Sequence, residues 1–174
     1  KDPFSTQEWN VVWSRQFSLQ DIDIYGAQVH WDGSITTPSF AIDASTNDDR
    51  IPVVSSLHDG ATGSRTWIVV FAEQVGFDFD LLAYGLNGGS VIAGASLSLL
   101  EFLGGSGTYT EDQYYPQTDC DGSKFAITYS ESYQHTNDFD MYIATFALVG
   151  SNFLLAEGHK NLDFTTSISW DSGL

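Results

Sequence analysis

The sequence predicts an all-β fold made of three blade-like repeats, each a four-stranded antiparallel sheet. The first observation behind this prediction is an internal repeat. An apolar run, a loop and an Asp-x-Asp pair that opens a second apolar run occur three times. Three aromatic residues, each 58 residues from the next, occupy equivalent positions: Trp13, Phe71 and Tyr129. The second observation is that short runs of β-branched and aromatic residues recur, whereas no stretch has a convincing period of 3.6 residues.

The length of 174 residues suits one domain that can bury a core. We expect a single all-β repeat domain over residues 1–174, with units at about 9–65, 66–123 and 124–174. The opening Lys1-Asp2-Pro3 is expected to be a remnant of cloning or cleavage and is left out of the fold prediction. Closed propellers typically have four to eight blades. Three units therefore predict a partial propeller or one completed by a homodimer, with a β-sandwich as the alternative.

The first unit is predicted to hold four strands, over residues 9–14, 21–31, 39–44 and 51–57. Along DIDIYGAQVHW, Asp and Tyr alternate with Ile, which is the period of two expected of a strand. Asp32-Gly33 then predicts a hairpin turn. Pro52 indicates the start of a strand or the edge of a sheet, because proline cannot donate a ladder hydrogen bond.

The second and third units repeat this order. Their predicted strands are residues 66–73, 80–86, 91–102, 125–130, 140–148, 153–156 and 166–170. The apolar segment from Ser90 to Leu103 is the one place where a helix is the alternative. Tyr114-Tyr115-Pro116 corresponds to Arg50-Ile51-Pro52 of the first unit. About four short strands in a repeat of this length indicate propeller blades.

A resemblance to a known class of repeats follows from three features of the first unit. They are the apolar strand Trp9–Trp13, the segment Asp23-Ile24-Tyr25-Gly26 with the turn Asp32-Gly33, and Pro52 leading into the next unit. This pattern resembles the β-propeller-like repeats of large secreted bacterial proteins. The second and third copies depart from it, since Asp80 and Asp140 are followed by other residues. The resemblance implies a sheet architecture and an extracellular or cell-surface setting in bacteria, and it implies no single activity.

The charge balance excludes some classes of partner. The chain has 23 acidic residues against 6 basic ones, for a formal net charge of -17. Nucleic acid is therefore not an expected partner, because no basic patch offsets phosphate repulsion. No run of apolar residues is long enough for a transmembrane helix, so membrane insertion is not expected either. Solubility is one interpretation of the acidity, and the collection of divalent cations by carboxylates is the other.

The Asp-x-Asp pairs are the candidate metal ligands. Alternate residues of a strand point to the same side, so paired carboxylates repel unless a cation or hydrogen-bond donors lie between them. Ca²⁺ prefers several oxygen ligands and is the predicted cofactor. The alternative is that each Asp accepts backbone hydrogen bonds and holds its loop, which suits a feature that recurs in every unit. The candidates are Asp21 and Asp23, Asp78 and Asp80, and Asp138 and Asp140.

Aromatic residues at turns and strand ends are the candidate ligand-binding residues. Aromatic rings stack on sugar rings, although their commoner role is to fill the space between sheets. Trp9, Trp13 and Trp67 lie in the repeated strands and are expected in the core. The ligand candidates are Trp31, Tyr114, Tyr115 and Trp170. Cys120, the only cysteine, is flanked by carboxylates that should raise the pKa of its thiol, so it is not expected to act as a nucleophile.

The predicted function is a non-enzymatic extracellular binding or adhesion module that binds a glycan or a protein and is stabilised by calcium. The alternative is a glycoside hydrolase with a carboxylate pair in a propeller cleft. Glu73 and Glu131 are equivalent positions, and Arg15 takes that place in the first unit. A purely structural repeat of a longer protein is the second alternative.

Overall fold

The computed structural model describes residues 7–59, 65–99, 112–132 and 139–162. These residues form twelve strands in three antiparallel sheets. Sheet A contains β1 (Glu8–Ser18), β2 (Asp21–His30) and β3 (Ile35–Asp43). Sheet B contains β4 (Asp49–Val54), β5 (His58–Asp59), β6 (Arg65–Val75), β7 (Asp78–Asn87) and β8 (Ser90–Ser98). Sheet C contains β9 (Gln113–Cys120), β10 (Phe125–Ser132), β11 (Phe139–Val149) and β12 (Asn152–Asn161).

The prediction of an all-β chain with antiparallel sheets is confirmed, but the sheets have three, five and four strands rather than four each. The helix alternative for the segment after Ser90 is wrong for Ser90–Ser98, which is β8. It pairs with β7 from Leu82↔Ser98 to Asn87↔Ser90. Within the described residues, no helix is long and apolar enough to cross a membrane.

Strands β4 and β9 pair in the sheet of the following unit and not in the sheet of the unit that precedes them in sequence. The prediction made β4 the last strand of the first unit, whereas β4 pairs with β6 through Asp49↔Glu73 and Val54↔Val69. In the same way β9 pairs with β10, through Gln113↔Glu131 and Phe125↔Cys120. Each of these strands therefore leaves one unit and opens the next sheet, which ties consecutive sheets together.

Sheet B is buried on both faces because its alternating side chains pack against two neighbours. Trp67, Val69 and Phe71 of β6 form one core with Ile24 and Ile42 of sheet A. The alternate β6 residues form a second core with sheet C, whose members include Phe125, Ile127, Tyr129 and Phe146. All of β6 from Trp67 to Ala72 is buried. The order of the sheets in space is therefore A, B, C.

The tryptophans expected in the core have different fates. Trp67 is buried as predicted, at 3% exposure. Trp9, at the equivalent position of β1, is 49% exposed and Val11 is 44% exposed. These two side chains alternate with Val12, which packs against the core between sheets A and B. Trp9 and Val11 therefore lie on the face of sheet A that points away from sheet B, and Trp13 on the same face is only partly buried.

Candidate functional site

Most of the predicted site residues lie at one end of the three sheets, which we call the rim. It is the end at which β2, β7 and β11 begin and at which β4 and β9 also begin, as the pairs Ser18↔Asp21 and Asp49↔Glu73 show. The predicted residues at the rim are Asp21, Asp23, Asp78, Asp80, Asp140, Tyr114 and Tyr115. Trp31 follows β2 at the opposite end, and Asp138 and Trp170 lie outside the described residues.

The rim is built from two equivalent junctions between neighbouring sheets. Between sheets A and B, the backbone N–H of Ile22 donates to the carbonyl of Asn47, just before β4. Between sheets B and C, the backbone N–H of Phe79 donates to a carboxylate oxygen of Asp112 at 3.0 Å, just before β9. In each junction, a hydrogen bond joins two segments. One is the start of a strand that carries an Asp-x-Asp pair, and the other is the segment that enters the next sheet.

Phe79 lies between Arg50 and Tyr114 at the rim. The Arg50 guanidinium stands 5.6 Å from the centroid of the Phe79 ring. The Tyr114 ring lies 5.1 Å from Phe79, and Tyr115 lies 5.9 Å from Tyr114, with both pairs tilted. We call these four residues (Arg50, Phe79, Tyr114 and Tyr115) the rim patch. Tyr115 is 38% exposed, so part of the patch faces solvent.

The residue before each proline of the rim has an unusual backbone. Ile51 has a φ of 55° and Tyr115 a φ of 53°. Positive φ is rare for residues other than glycine and is an outlier for a β-branched residue such as Ile51. In both strands the pairing register shifts at this point. The shared distortion is therefore a property of the repeat, and it sits directly beside Arg50 and Tyr114.

Three carboxylates lie in register across neighbouring strands of sheet B. Asp49 pairs with Glu73, and Glu73 pairs with Asp80. We call Asp49, Glu73 and Asp80 the acidic row. Opposite side chains in antiparallel strands are about 5 Å apart, and like charges placed there destabilise a sheet. Burial, the Asp78 charge and then the Glu73 charge raise the pKa of Asp80 to about 6.

Asp49 is the most constrained member of the row. It is fully buried, and neither of its carboxylate oxygens has a hydrogen-bond partner. Burial, followed by the charges of Asp43 and Glu73, raises its pKa to about 8. A buried carboxylate without donors is costly, so it takes up a proton more readily than an exposed one.

The carboxylates around Asp49 have partners of their own. Asp43 accepts hydrogen bonds from the Tyr84 hydroxyl and from the backbone N–H of Ser45, both at 2.8 Å. Asp48 is paired with the Arg50 guanidinium, whose Nε donates at 2.8 Å. A Glu73 oxygen accepts from the Asn47 side-chain amide at 2.8 Å.

The calcium sites predicted at the Asp pairs stay a prediction. In the described ranges, no group of three or more His, Cys, Asp or Glu side chains is arranged so that it could hold a metal ion. Asp21 and Asp23 approach each other, and burial followed by the Asp21 charge raises the pKa of Asp23. Asp140 accepts a hydrogen bond from the Asn161 side chain at 3.1 Å. The donor in that contact is a side chain and not the backbone N–H that the alternative expected.

A cleft of about 450 Å³ lies on sheet C, away from the rim patch. It is lined by Asp119, Cys120, Asp121, Lys124 and Glu157, among others. Burial, with smaller contributions from the Asp121 and Asp119 charges, raises the pKa of the Cys120 thiol to about 11. The thiol is therefore protonated at neutral pH, in the direction that the sequence predicted, although burial is the larger cause.

Sequence reasoning missed Phe79, Arg50, Asp49 and Asp112 as rim residues. The signal for Arg50 was present, because Arg50-Ile51-Pro52 corresponds to Tyr114-Tyr115-Pro116. Asp49 directly precedes the first of these segments, and Asp112 lies two residues before the second. Phe79 lies between the two aspartates of an Asp-x-Asp pair, where alternation places its side chain on the other face of the strand.

Comparison with known proteins adds no relative. No protein-family model matches the chain, and neither the curated proteins nor the solved structures contain a significant match.

Proposed function

We propose that the domain is a non-enzymatic extracellular binding module that holds a glycan at the rim patch. The observation that carries this proposal is the convergence of Tyr114 and Tyr115 with Phe79 and Arg50 on one rim. Two residues chosen from the sequence as sugar-stacking candidates are brought together there with a third ring and a guanidinium. Aromatic faces supply apolar contact to sugar rings, and the charged groups supply hydrogen bonds to hydroxyls.

The distorted backbone supports a binding role for this rim. Residues held at positive φ cost free energy and cluster at ligand-binding and active sites. Ile51 and Tyr115 adopt this conformation next to the two side chains that flank Phe79. In both units the distorted residue directly follows the side chain that the strand presents at the rim, Arg50 or Tyr114.

The rim patch fits binding better than hydrolysis. A glycosidase needs two carboxylates at a set separation on either side of the scissile bond. Asp49 has a strongly raised pKa, but it is fully buried and so cannot contact a substrate. Asp80 is partly buried and is the carboxylate to test if any turnover is found.

The finer fold prediction belongs to the same proposal. We infer that sheets A, B and C are blades of a propeller-type array of secreted bacterial proteins. The support is the equivalent way in which β4 and β9 enter the following sheet. Completion of the array by a homodimer and stabilisation by calcium remain predictions from the repeat number and the Asp pairs.

The proposal is tested by titrating a panel of short oligosaccharides, with ligand-observed NMR for screening and calorimetry for affinity. Tyr114→Ala and Tyr115→Ala are expected to weaken binding about tenfold each, because a lost stacking contact is worth about 1 kcal/mol or slightly more. Trp31→Ala is the matched control, since Trp31 is 68% exposed at the opposite end.

Equal losses in Trp31→Ala and in the two tyrosine variants would move the site away from the rim patch. Product formation from any oligosaccharide, lost in Asp80→Asn, would replace the proposal with the hydrolase alternative. Circular dichroism of each variant checks that the sheets are intact.

A further inference from the structure

We infer that the rim patch selects a cationic glycan, one that carries free amino groups, over neutral and acidic glycans. This inference rests on the proposed function, because it names the charge of the ligand that the patch would hold. Glycans with free amino groups, such as β-1,4-linked glucosamine oligomers, carry ammonium groups in addition to their hydroxyls. The argument comes from the rings of the patch and from the carboxylates beside it.

The rings of the patch already hold a cation. The Arg50 guanidinium stands 5.6 Å from the Phe79 centroid, within the range of a cation–π interaction. The Tyr114 and Tyr115 rings continue from Phe79 at similar spacing. Electron-rich faces of Tyr attract an ammonium group as well as the apolar face of a sugar ring. One surface can therefore contact both parts of an amino sugar.

Carboxylates stand directly beside these rings. Asp112 is held in place because one of its oxygens accepts the Phe79 N–H at 3.0 Å and its own N–H donates to the Ser132 hydroxyl. Burial and the negative charge of Asp112 raise the pKa of Tyr114 to about 12, so the Asp112 charge acts on the patch. Asp78 acts in the same direction on Tyr114.

Arg50, the basic residue of the patch, offsets the Asp112 charge only in part, because it lowers the pKa of Tyr114 by less than Asp112 raises it. Arg50 is paired with the Asp48 carboxylate through two of its nitrogens. The Asp78 and Asp80 side chains lie on the other face of β7 from Phe79, so Asp112 is the carboxylate that acts most strongly on the patch. An ammonium group bound beside Asp112 would be attracted by its charge, whereas an acidic glycan would be repelled.

The test uses two probes of equal length and linkage, one with ammonium groups and the other with neutral acetamide groups in their place. A glucosamine tetramer and its fully N-acetylated counterpart have the same length and linkage, but only the first carries ammonium groups at about pH 6. We expect the glucosamine tetramer to bind the intact protein about tenfold more tightly in calorimetric titrations, because one cation–π contact and one exposed ion pair together suffice for that factor. Added salt should reduce this difference, since it screens exposed charges.

Asp112→Asn is the decisive variant, because Asn keeps an oxygen that can accept the Phe79 N–H. It should reduce the affinity for the glucosamine tetramer several-fold and leave the acetylated tetramer unchanged. Asp32→Asn is the matched control at the opposite end, in an exposed turn where Asp32 binds Ser34. Asp80→Asn removes a charge from the other face of β7 and should therefore reduce the affinity less than Asp112→Asn does.

Four results would overturn the inference, and they can be told apart. Equal binding of the two tetramers would reject selection by charge while keeping glycan binding. No binding of either tetramer by a folded protein that binds another glycan would also reject it. No binding of any glycan would reject the proposed function itself. A lysine tetrapeptide that competes at the patch more strongly than the glucosamine tetramer would replace the glycan by a basic peptide.

Discussion

The junction between sheets A and B and the junction between sheets B and C place different side chains at the same position of the repeat. Asp49 opens β4 and pairs with Glu73, whereas Gln113 opens β9 and pairs with Glu131. Both residues are buried, at 0% and 2% exposure. Gln113 donates from its side-chain nitrogen to Glu131 at 3.0 Å and accepts the backbone N–H of Leu81 at 3.2 Å. Asp49 makes no such contacts.

The difference teaches that this position requires a group that both donates and accepts. An amide does so at any pH, but an ionised carboxylate only accepts and repels the neighbouring glutamate. A protonated carboxyl group would restore the donor, and the raised pKa of Asp49 points in that direction. The A–B junction therefore depends on pH in a way that the B–C junction does not.

The largest expected effect comes from copying the A–B arrangement into the B–C junction. Gln113→Glu should lower the free energy of unfolding by about 3 kcal/mol at about pH 8, because it removes the hydrogen bond to Glu131 and buries a like charge. The loss should shrink as the pH falls, since the new carboxyl group can protonate and donate. Urea unfolding followed by circular dichroism measures both quantities.

Gln117→Glu, on the same strand, makes the same change of charge at a partly exposed position and is the control. A Gln113→Glu variant that is as stable as this control would show that the hydrogen bonds of Gln113 contribute little. If the loss of stability in Gln113→Glu did not depend on pH, it would come from altered packing and not from the ionised carboxylate.

The next effect concerns Asp49 and the pH dependence of stability. Its pKa is about 8 in the folded protein, against about 4 in an unfolded chain. The folded state therefore binds a proton that the unfolded state has released, and the contribution of this group is complete below about pH 4. It is lost as the pH rises towards about 8, by at most about 1.4 kcal/mol per pH unit.

Asp49→Asn should remove this slope and be more stable than the original protein by about 2 kcal/mol near pH 8, because Asn can donate as Gln113 does. Unfolding in urea at a series of pH values checks the slope. Asp32→Asn is the control, since hydrogen bonds from Ser34 lower the pKa of the exposed Asp32 to about 2. A slope that persists in Asp49→Asn would assign it to the other carboxylates.

The smallest expected effect on stability comes from removing the hydrogen bond between Tyr84 and Asp43, a neighbour of Asp49. Tyr84→Phe removes the hydroxyl that donates to Asp43 at 2.8 Å and should cost about 1 kcal/mol. The Asp43 charge would then act more strongly on Asp49. A double-mutant cycle of Tyr84→Phe with Asp49→Asn measures this coupling. Additive effects would mean that Asp43 and Asp49 do not act on each other.

Local pattern predicted the strands of this chain, and long-range pairing determined what the pattern could not show. The period of two from Asp21 onward and the hairpin turn at Asp32-Gly33 both correspond to the observed β2 and its turn. The assignment of β4 to the first unit was wrong, because its apolar run predicts a strand but does not indicate which sheet the strand joins. Trp9 was expected in the core because it repeats as Trp67, but no sheet of the described residues covers its face.

The candidate site shows the same division. Tyr114 and Tyr115 were chosen because they lie at a strand end, and the structure places Tyr114 beside Phe79, the residue between the predicted Asp78 and Asp80. Phe79 and Asp49 were missed because their roles arise only when β7 meets β9 and β4 meets β6. Burial of a carboxylate against other carboxylates is a property of the assembled sheets and has no local signature.

The positive φ shared by Ile51 and Tyr115 has a consequence for how such repeats diversify. The distorted backbone comes from the repeat, while the side chain that it exposes at the rim differs between units, Arg50 in one and Tyr114 in the next. The backbone conformation at the rim and the identity of the exposed side chain can therefore change independently. After duplication of the unit, one substitution per copy at this position can change what the rim binds while the strand keeps its fold.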